Sequence, residues 1–312
     1  MNARTALVVV ARDKAPYVAE TVRACFAQET ADPLEIFLSD QGSTDGTREI
    51  MAREAQRYNG PHRVRLIDCP DAGPRGMPGL NAHYNWLHEA IPADFVAYTA
   101  ADDLPEPKRM ARTLEVLDEH APDYIGTCQA NYTAIGEYRG HTANPEASGL
   151  CDLVDIVERN LGGSMSSAWS KACFEKHGPL FTSACQDLIV PFWAGLGAGM
   201  YYIAEPLHLR IHREDRNNTG LEGLRDTRQT ELAVTQVMEL LHYQFVANWA
   251  HMLNKVGEHY GDDTADPDAN RLVNFLIGRL LGNATEWANS RDVLTRAQVQ
   301  PACFATRKGL LK

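Results

Sequence analysis

Asp94-Phe95-Val96-Ala97-Tyr98-Thr99-Ala100-Ala101-Asp102-Asp103 is an apolar run that stops at two adjacent carboxylates. Its apolar part reads as a buried strand with the acids at the carboxyl end, where ligands bind in an open α/β sheet. Two carboxylates fixed there suit a hard divalent cation, and such a cation carries phosphate oxygens. The plainer alternative is a helix start, with Asp102 or Asp103 capping a helix over 106–119 and Pro105 near its first turn.

Strand and helix signals alternate upstream of this stretch. A β-branched run covers 6–10, and Tyr17, Val18, Val22, Cys25 and Phe26 then recur at helical spacing. A second strand over 34–38 is closed by Ser39-Asp40-Gln41-Gly42-Ser43-Thr44-Asp45-Gly46-Thr47. A helix over 47–58, a strand over 64–67, a Gly/Pro-rich loop over 71–79 and a helix over 81–90 follow. This alternation predicts a mostly parallel sheet with right-handed crossovers. Downstream the spacing predicts a strand over 124–132, a polar loop or hairpin over 136–150, a short helix over 151–160, and strands over 201–204 and 207–211. Leu232, Val237, Leu240, Leu241, Phe245 and Trp249 trace a long amphipathic helix. An acidic linker over 261–268 and helices over 270–287 and 290–303 complete the chain.

The 312 residues accommodate an α/β domain of about 210 residues with a helical appendage. A formal charge of −11 argues against a broad nucleic-acid or anionic-membrane surface. Seven scattered cysteines form no Cys-x-x-Cys pair and no zinc spacing, which fits a reducing compartment. No run of about 18 apolar residues occurs, so the expectation is a soluble, cytoplasmic protein without an integral membrane segment.

No Gly-x-Gly-x-x-Gly follows the first strand, and neither Gly-x-x-x-x-Gly-Lys-Ser/Thr nor His-Glu-x-x-His is present. A phosphate binder built this way uses a metal in place of a glycine cradle. Asp40, at a strand tip, suits a base N–H or ribose hydroxyls. Ser43 to Thr47 read as turn and helix-cap chemistry.

In this setting the chain resembles the inverting GT-A glycosyltransferases of family 2. The pieces that carry the resemblance are Val8-Val9-Val10-Ala11-Arg12-Asp13, Ser39 to Thr47 as quoted, Asn81-Ala82-His83-Tyr84-Asn85 and Tyr98-Thr99-Ala100-Ala101-Asp102-Asp103. They stand in the family's order and cover roughly residues 5 to 215. The resemblance implies a Rossmann-like GT-A fold, a mostly parallel sheet flanked by helices, over 1–220, with a helical region over 221–312. It implies that Ala11 and Asp13 line the nucleotide base, that Asp40 contacts uracil or ribose, and that Ala101 adjoins the donor. Asp102 matches the last acid of the Asp-x-Asp motif, which coordinates Mn²⁺ or Mg²⁺ on the donor diphosphate. Ala100 stands where the family has its first Asp. Asp103 is left to hold the loop or cap the next helix.

His83 falls near an Arg that relatives place beside the donor phosphates, and a partly exposed helix histidine is the competing reading. Asn81 and Asn85 are assigned to loop ordering. Phe181-Thr182-Ser183-Ala184-Cys185-Gln186-Asp187-Leu188 resembles the family's Glu-Asp motif with Gln for Glu, and Gly162 to Trp169 and Gly178 to Leu180 resemble its acceptor side. Asp187 is then the general base that takes the acceptor proton, because a hydroxyl is a poor nucleophile at neutral pH. Leu207-His208-Leu209-Arg210-Ile211-His212 resembles the Tyr-Arg-x-His tail, making His212 a metal ligand or a surface histidine. Arg210, with Arg213 and Arg216, either screens the diphosphate or is solvated.

The resemblance thus implies an inverting, metal-dependent transferase taking a nucleotide sugar, a UDP sugar first. The acceptor is open among glycan, small molecule, protein and modified nucleobase. A homo-oligomer through the C-terminal helices is one use for the region after 220. Two rivals remain: a nucleotidyltransferase, whose Gly-rich basic loop after the first strand is missing here, and a decayed sugar-nucleotide-binding domain, for which Ala100 and Gln186 speak.

Overall fold

The computed structural model describes residues 5–71, 73, 77–133, 135–142, 147–159, 161, 167–212, 231–261 and 266–307, without side chains at 77, 142, 212, 231–241 and 292–307. They fall into two compact units, 1–182 with 186–217, and 183–185 with 218–312.

The first unit opens with β1 (Thr5–Ala11), α1 (Val18–Phe26), β2 (Glu35–Asp40), α2 (Thr47–Arg57), β3 (Arg63–Asp68), α3 (Met77–Ala90) and β4 (Phe95–Ala100). β1 lies between β2 and β4, parallel to both, and β3 extends the sheet beyond β2. Ala6 to Ala11 are all buried, as a strand covered on both faces requires. Then come β5 (Asp103–Pro105), α4 (Arg109–His120), β6 (Tyr124–Thr133), β7 (Tyr138–Thr142), β8 (Gly149–Cys151), α5 (Leu153–Arg159), β9 (Ala168–Ser170), α6 (Lys171–His177), α7 (Gln186–Gly195) and β10 (Met200–His212). The sheet order is β3-β2-β1-β4-β9-β6-β10-β5, with β7 on β6 and β8 on β10. β6 and β10 run parallel to each other, whereas β5, β7, β8 and β9 pair antiparallel.

The sheet's two faces are packed differently. Leu7, Val9, Ile36, Leu38 and Ala97 belong to an aliphatic cluster with Val18 and Val22 of α1, Met51 of α2 and Met110 and Val116 of α4. On the other face Tyr98 meets Tyr84 of α3 edge-on at 4.9 Å and Trp169 of β9 at 4.7 Å. His88 stacks on Phe174 of α6 at 3.7 Å between ring centroids. Such aromatic pairs add about 0.5–1.5 kcal/mol each beyond the area they bury.

Three local expectations change. The helix expected over 106–119 starts at Arg109 with Lys108 as its N-cap residue, so neither Asp102 nor Asp103 caps it. Asp103–Pro105 instead pairs with His208–Arg210, and the prolines at 105 and 107 disfavour helical backbone at the residues before them. The strands expected over 201–204 and 207–211 are one, β10, whose register against β6 shifts on either side of Pro206. Proline has no N–H for the ladder, so the irregularity absorbs it without ending the strand.

The second unit carries helices Glu231–Tyr260 and Pro267–Arg307. Trp249, Met252 and Val256 of the first are buried, as are Leu272 and Leu276 of the second. Tyr243 faces Trp287 and Trp249 faces Phe275, so the pair runs antiparallel. The break expected between 287 and 290 does not occur. Trp287 lies under the Arg291 guanidinium at 5.3 Å, and the helix continues through that turn. No helix among the described residues is long and apolar enough to cross a membrane.

Candidate active site

The parallel strands deliver three loops to one edge of the sheet. Ala11 stands in register with Asp40, and Val10 with Ala100, so the loops after β1, β2 and β4 are neighbours by construction. Ala11 is buried, and its carbonyl accepts from the Gln41 N–H at 2.9 Å. The buried Ala101 N–H donates to the Val10 carbonyl at 3.1 Å.

Asp13 has left-handed backbone, φ 52°, which a residue with a Cβ adopts only when its surroundings hold it there. Its N–H donates to Ser43 Oγ at 2.9 Å, and its Oδ1 accepts from the Thr44 N–H at 2.8 Å. Asp45 takes the Ala15 and Thr47 N–H groups, and Gly46 turns the chain into α2 with φ 93°. Ser43 to Thr47 therefore perform turn and cap chemistry, and in addition lace the loop after β2 to the loop after β1.

Asp40 is buried at the tip of β2. Its Oδ2 accepts from the Ser43 N–H at 3.0 Å, while Oδ1 has no hydrogen-bond partner among the described residues. An ionised carboxylate oxygen kept from water without a donor is costly, so this atom is suited to an incoming N–H or O–H. Gln41 is fixed beside it, donating from Nε2 to the Gly79 carbonyl at 2.7 Å.

His83 is fully buried on α3 rather than partly exposed. Its Nε2 is hydrogen-bonded to Ser39 Oγ at 2.8 Å. Burial and the nearby Arg12 charge push its pKa down to about 4, so near neutral pH the ring is uncharged and brings no positive charge to a diphosphate.

At Asp102 the structure pairs the carboxylate with a lysine. Lys14 Nζ lies 2.9 Å from Asp102 Oδ2, with both side chains buried. The Lys14 backbone N–H donates to Thr47 Oγ1 at 2.7 Å, which anchors the residue between α2 and β4. Asp103 turns toward β10, where the buried His208 donates from Nε2 to its Oδ2 at 3.3 Å. His208 has its pKa lowered by burial, against the opposing effect of Asp103. Arg210 sits opposite Asp103 in the β5–β10 register and is half-buried. Beneath the loop, the fully buried Arg109 donates to Thr99 Oγ1 and to the Tyr98 carbonyl, each at 2.6 Å. Its pKa is pushed down to about 10, chiefly by burial.

A resident Mn²⁺ or Mg²⁺ can be tested against this donor set. Ala100 offers no ligand, Asp103 is directed to His208, and the Asp102 carboxylate carries an ammonium. No group of three His, Cys, Asp or Glu able to hold a metal occurs among the described residues. The set does not fit a resident divalent cation, because a cation at Asp102 would lie against the like charge of Lys14. His212 ends β10, and its side chain lies outside the described residues, as do Arg213, Arg216 and residues 162–166.

Asp187 stands in the first turn of α7 and is half-buried. Pro191, four residues on, has no N–H to give to the Asp187 carbonyl, which loosens the helix at that turn. The Asp187 carboxylate is close enough to the Tyr84 phenol to help raise its pKa, after burial and Tyr98. Gln186 beside it is buried, and its Oε1 has no hydrogen-bond partner among the described residues. The loop before α7 is tied to α3. Asn85 donates to the Leu180 carbonyl at 2.9 Å and accepts from the Leu180 N–H at 2.8 Å. Asn81 Nδ2 donates to the Phe181 and Thr182 carbonyls at 3.1 and 3.2 Å.

Lys14, Arg109 and His208 carry no motif of their own in the sequence. Lys14 stands three residues past Ala11, the end of the first strand. Its meeting with Asp102 depends on β1 and β4 being neighbours.

The model of a family described as glycosyl transferase family 2 matches residues 6–170. Among solved structures, TarS of S. aureus in complex with UDP-GlcNAc superposes with a TM-score of 0.57 at 13% identity, over 96% of this chain and 92% of that one. The mannosyltransferase PcManGT of Pyrobaculum calidifontis, in complex with GDP-Man and Mn²⁺, gives 0.57 at 15% identity, over 99% of this chain and 81% of that one. Uncharacterized proteins of Mycobacterium tuberculosis and Mycobacterium bovis are 25% identical over 115 residues, 36% of this chain. That stretch spans 31% of the length of those relatives.

Proposed function

The chain belongs to glycosyl transferase family 2 and has the GT-A fold; from this we propose that it moves a sugar from a nucleotide diphosphate, a UDP sugar first, to an acceptor hydroxyl with inversion at the anomeric carbon. The observation that carries the donor half of this reading is the buried Asp40 carboxylate, whose Oδ1 has no hydrogen-bond partner among the described residues at the edge where three loops converge. It would accept from the nucleoside, with Ala11 and Asp13 beside it and the diphosphate lying toward Ala101 and Asp102. The UDP-GlcNAc and GDP-Man bound by two structural neighbours support a sugar nucleotide as the donor class.

In the transfer step the acceptor oxygen forms its bond to the anomeric carbon from the face opposite the diphosphate. The bond between that carbon and the phosphate oxygen breaks, and its electron pair leaves with the diphosphate. The acceptor proton passes to Asp187, in the first turn of α7 behind a loop whose backbone Asn81 and Asn85 hold. Metal dependence forms no part of this reading, since the described donor set does not fit a resident cation. The transferase region would run through about residue 220, and the helices beyond it carry no chemistry here.

Replacing Asp187 by Asn removes the base and keeps the shape. Transfer, followed by release of nucleotide diphosphate, is expected to fall on the order of 10²–10⁴-fold with nucleotide affinity unchanged. Unchanged transfer would remove Asp187 from the role of base.

A further inference from the structure

Asn248 lies in the helix Glu231–Tyr260, one turn before Met252, and like Met252 it is fully buried. A polar side chain withdrawn from water is costly unless its groups are paired, and both ends of this amide are used. Its Oδ1 accepts from the Cys185 N–H at 3.0 Å. Its Nδ2 donates to the Ser183 carbonyl at 3.2 Å and to the Gln244 carbonyl at 2.6 Å. These contacts lie inside the second unit, to which residues 183–185 belong, and the chain returns to the first unit at Gln186.

The segment so held is the entry to α7. Gln186 opens that helix, and Asp187 stands in its first turn. The first backbone N–H groups of a helix have no partner within it. Pro191 removes the bond that would tie the Asp187 carbonyl to the next turn. The residues before Asp187 therefore have more to do in fixing its direction than they would before an uninterrupted helix. Leu180 to Thr182 are held by Asn85 and Asn81, and Ser183 and Cys185 by Asn248. Resting on Asp187 as the base, as proposed above, we infer that Asn248 is a positioning residue for the transfer step, fixing the backbone from which that carboxylate projects. The C-terminal helices thereby take part in catalysis without supplying a reacting group. One residue separates Cys185 from Asp187, and a displacement of about 1 Å at a reacting group costs on the order of a hundred-fold in rate.

The test follows nucleotide release by the full chain from UDP-GlcNAc, UDP-glucose and GDP-mannose with water as acceptor, alongside deuterium uptake over residues 183–188. In this reaction the water oxygen bonds to the anomeric carbon, its proton passes to Asp187, and the diphosphate leaves with the electron pair. Asn248→Leu keeps the branching of the side chain and removes both hydrogen-bonding ends. It is expected to lower kcat by about ten-fold or more with the donor KM within about two-fold of wild type. Exchange should quicken over 183–188 while β1 stays protected. Asn248→Asp keeps the acceptor for the Cys185 N–H and should lower kcat less, by about three-fold. That fall carries the test if Asn248→Leu does not fold. Unchanged kcat in a folded variant, a donor KM that rises with the loss, or exchange that quickens equally in β1 overturns the inference alone. A wild type that releases nucleotide from none of the three donors, or an Asp187→Asn variant as active as wild type, overturns the transfer reading with it.

Discussion

The two halves of the candidate site are held by different forces. On the donor side, loops from neighbouring strands are joined to one another directly, Asp13 to Thr44, Lys14 to Asp102 and Asp103 to His208. On the side of Asp187, the loop is held at one remove. Asn81 and Asn85 grip its backbone from α3, and α3 rests on the aromatic layer of Tyr84, His88, Tyr98, Trp169 and Phe174. Polar lacing fixes a charge pattern where a charged ligand would bind. Packing through a helix fixes a direction, which is what a proton acceptor requires. Damage to the aromatic layer should therefore reach catalysis before it reaches nucleotide binding.

The largest test of that contrast is Trp169→Ala. Trp169 is fully buried and lies within 5.0 Å of both Tyr84 and Tyr98 between ring centroids, so its loss should cost about 3–5 kcal/mol of stability. A denaturant titration that finds less than about 1 kcal/mol would show that α3 does not depend on this layer. Asn85→Ala is the narrower cut. It leaves both Leu180 backbone groups without their side-chain partner, and is expected to lower kcat for transfer by about ten-fold while the donor KM stays unchanged. Equal losses in kcat and in nucleotide affinity would erase the distinction between the two sides.

A third test concerns acid stability. His83 and His88 have folded-state pKa values pushed down to about 4 and about 3, by burial first and then by Arg12 and Lys171. Both lie below the ordinary 6.5, so the unfolded chain takes up protons before the folded one does. Their contribution to stability is complete above pH 6.5 and is lost as the pH falls from there toward the folded values, by about 1.4 kcal/mol per pH unit for each ring. A thermal midpoint that declines between pH 7 and pH 5 is expected. A flat midpoint over that window would mean that the rings are solvated.

Much of this organisation was legible before any coordinates. The alternation from Thr5 to Ala100 placed four strands and three helices, because short continuous apolar runs and helical spacing are local signals. The tips at Asp40 and Asp102 followed from where those strands ended. Other features were not local. Asp103 entered a three-residue strand rather than a helix cap, since its partners, His208 to Arg210, lie a hundred residues away. His83, read as a neighbour of the donor phosphates with a partly exposed helix histidine as the alternative, is buried against Ser39, because the side of α3 that meets the sheet depends on the crossover.

The sequence by itself determined the family, the run of parallel strands and the acids at their ends, all of which follow from the order of residues along one segment. Only the tertiary structure decided what those acids face. Asp40 keeps one oxygen without a hydrogen-bond partner among the described residues, Asp103 turns to His208, and Asp102 meets Lys14. The physical reason is that a charge's role is set by its nearest opposite charge and its access to water. Both come from strand adjacency, which places residues 14 and 102 2.9 Å apart. The stretch from Asp94 to Asp103 announced a phosphate site with a metal, and the neighbouring strand brought it a lysine.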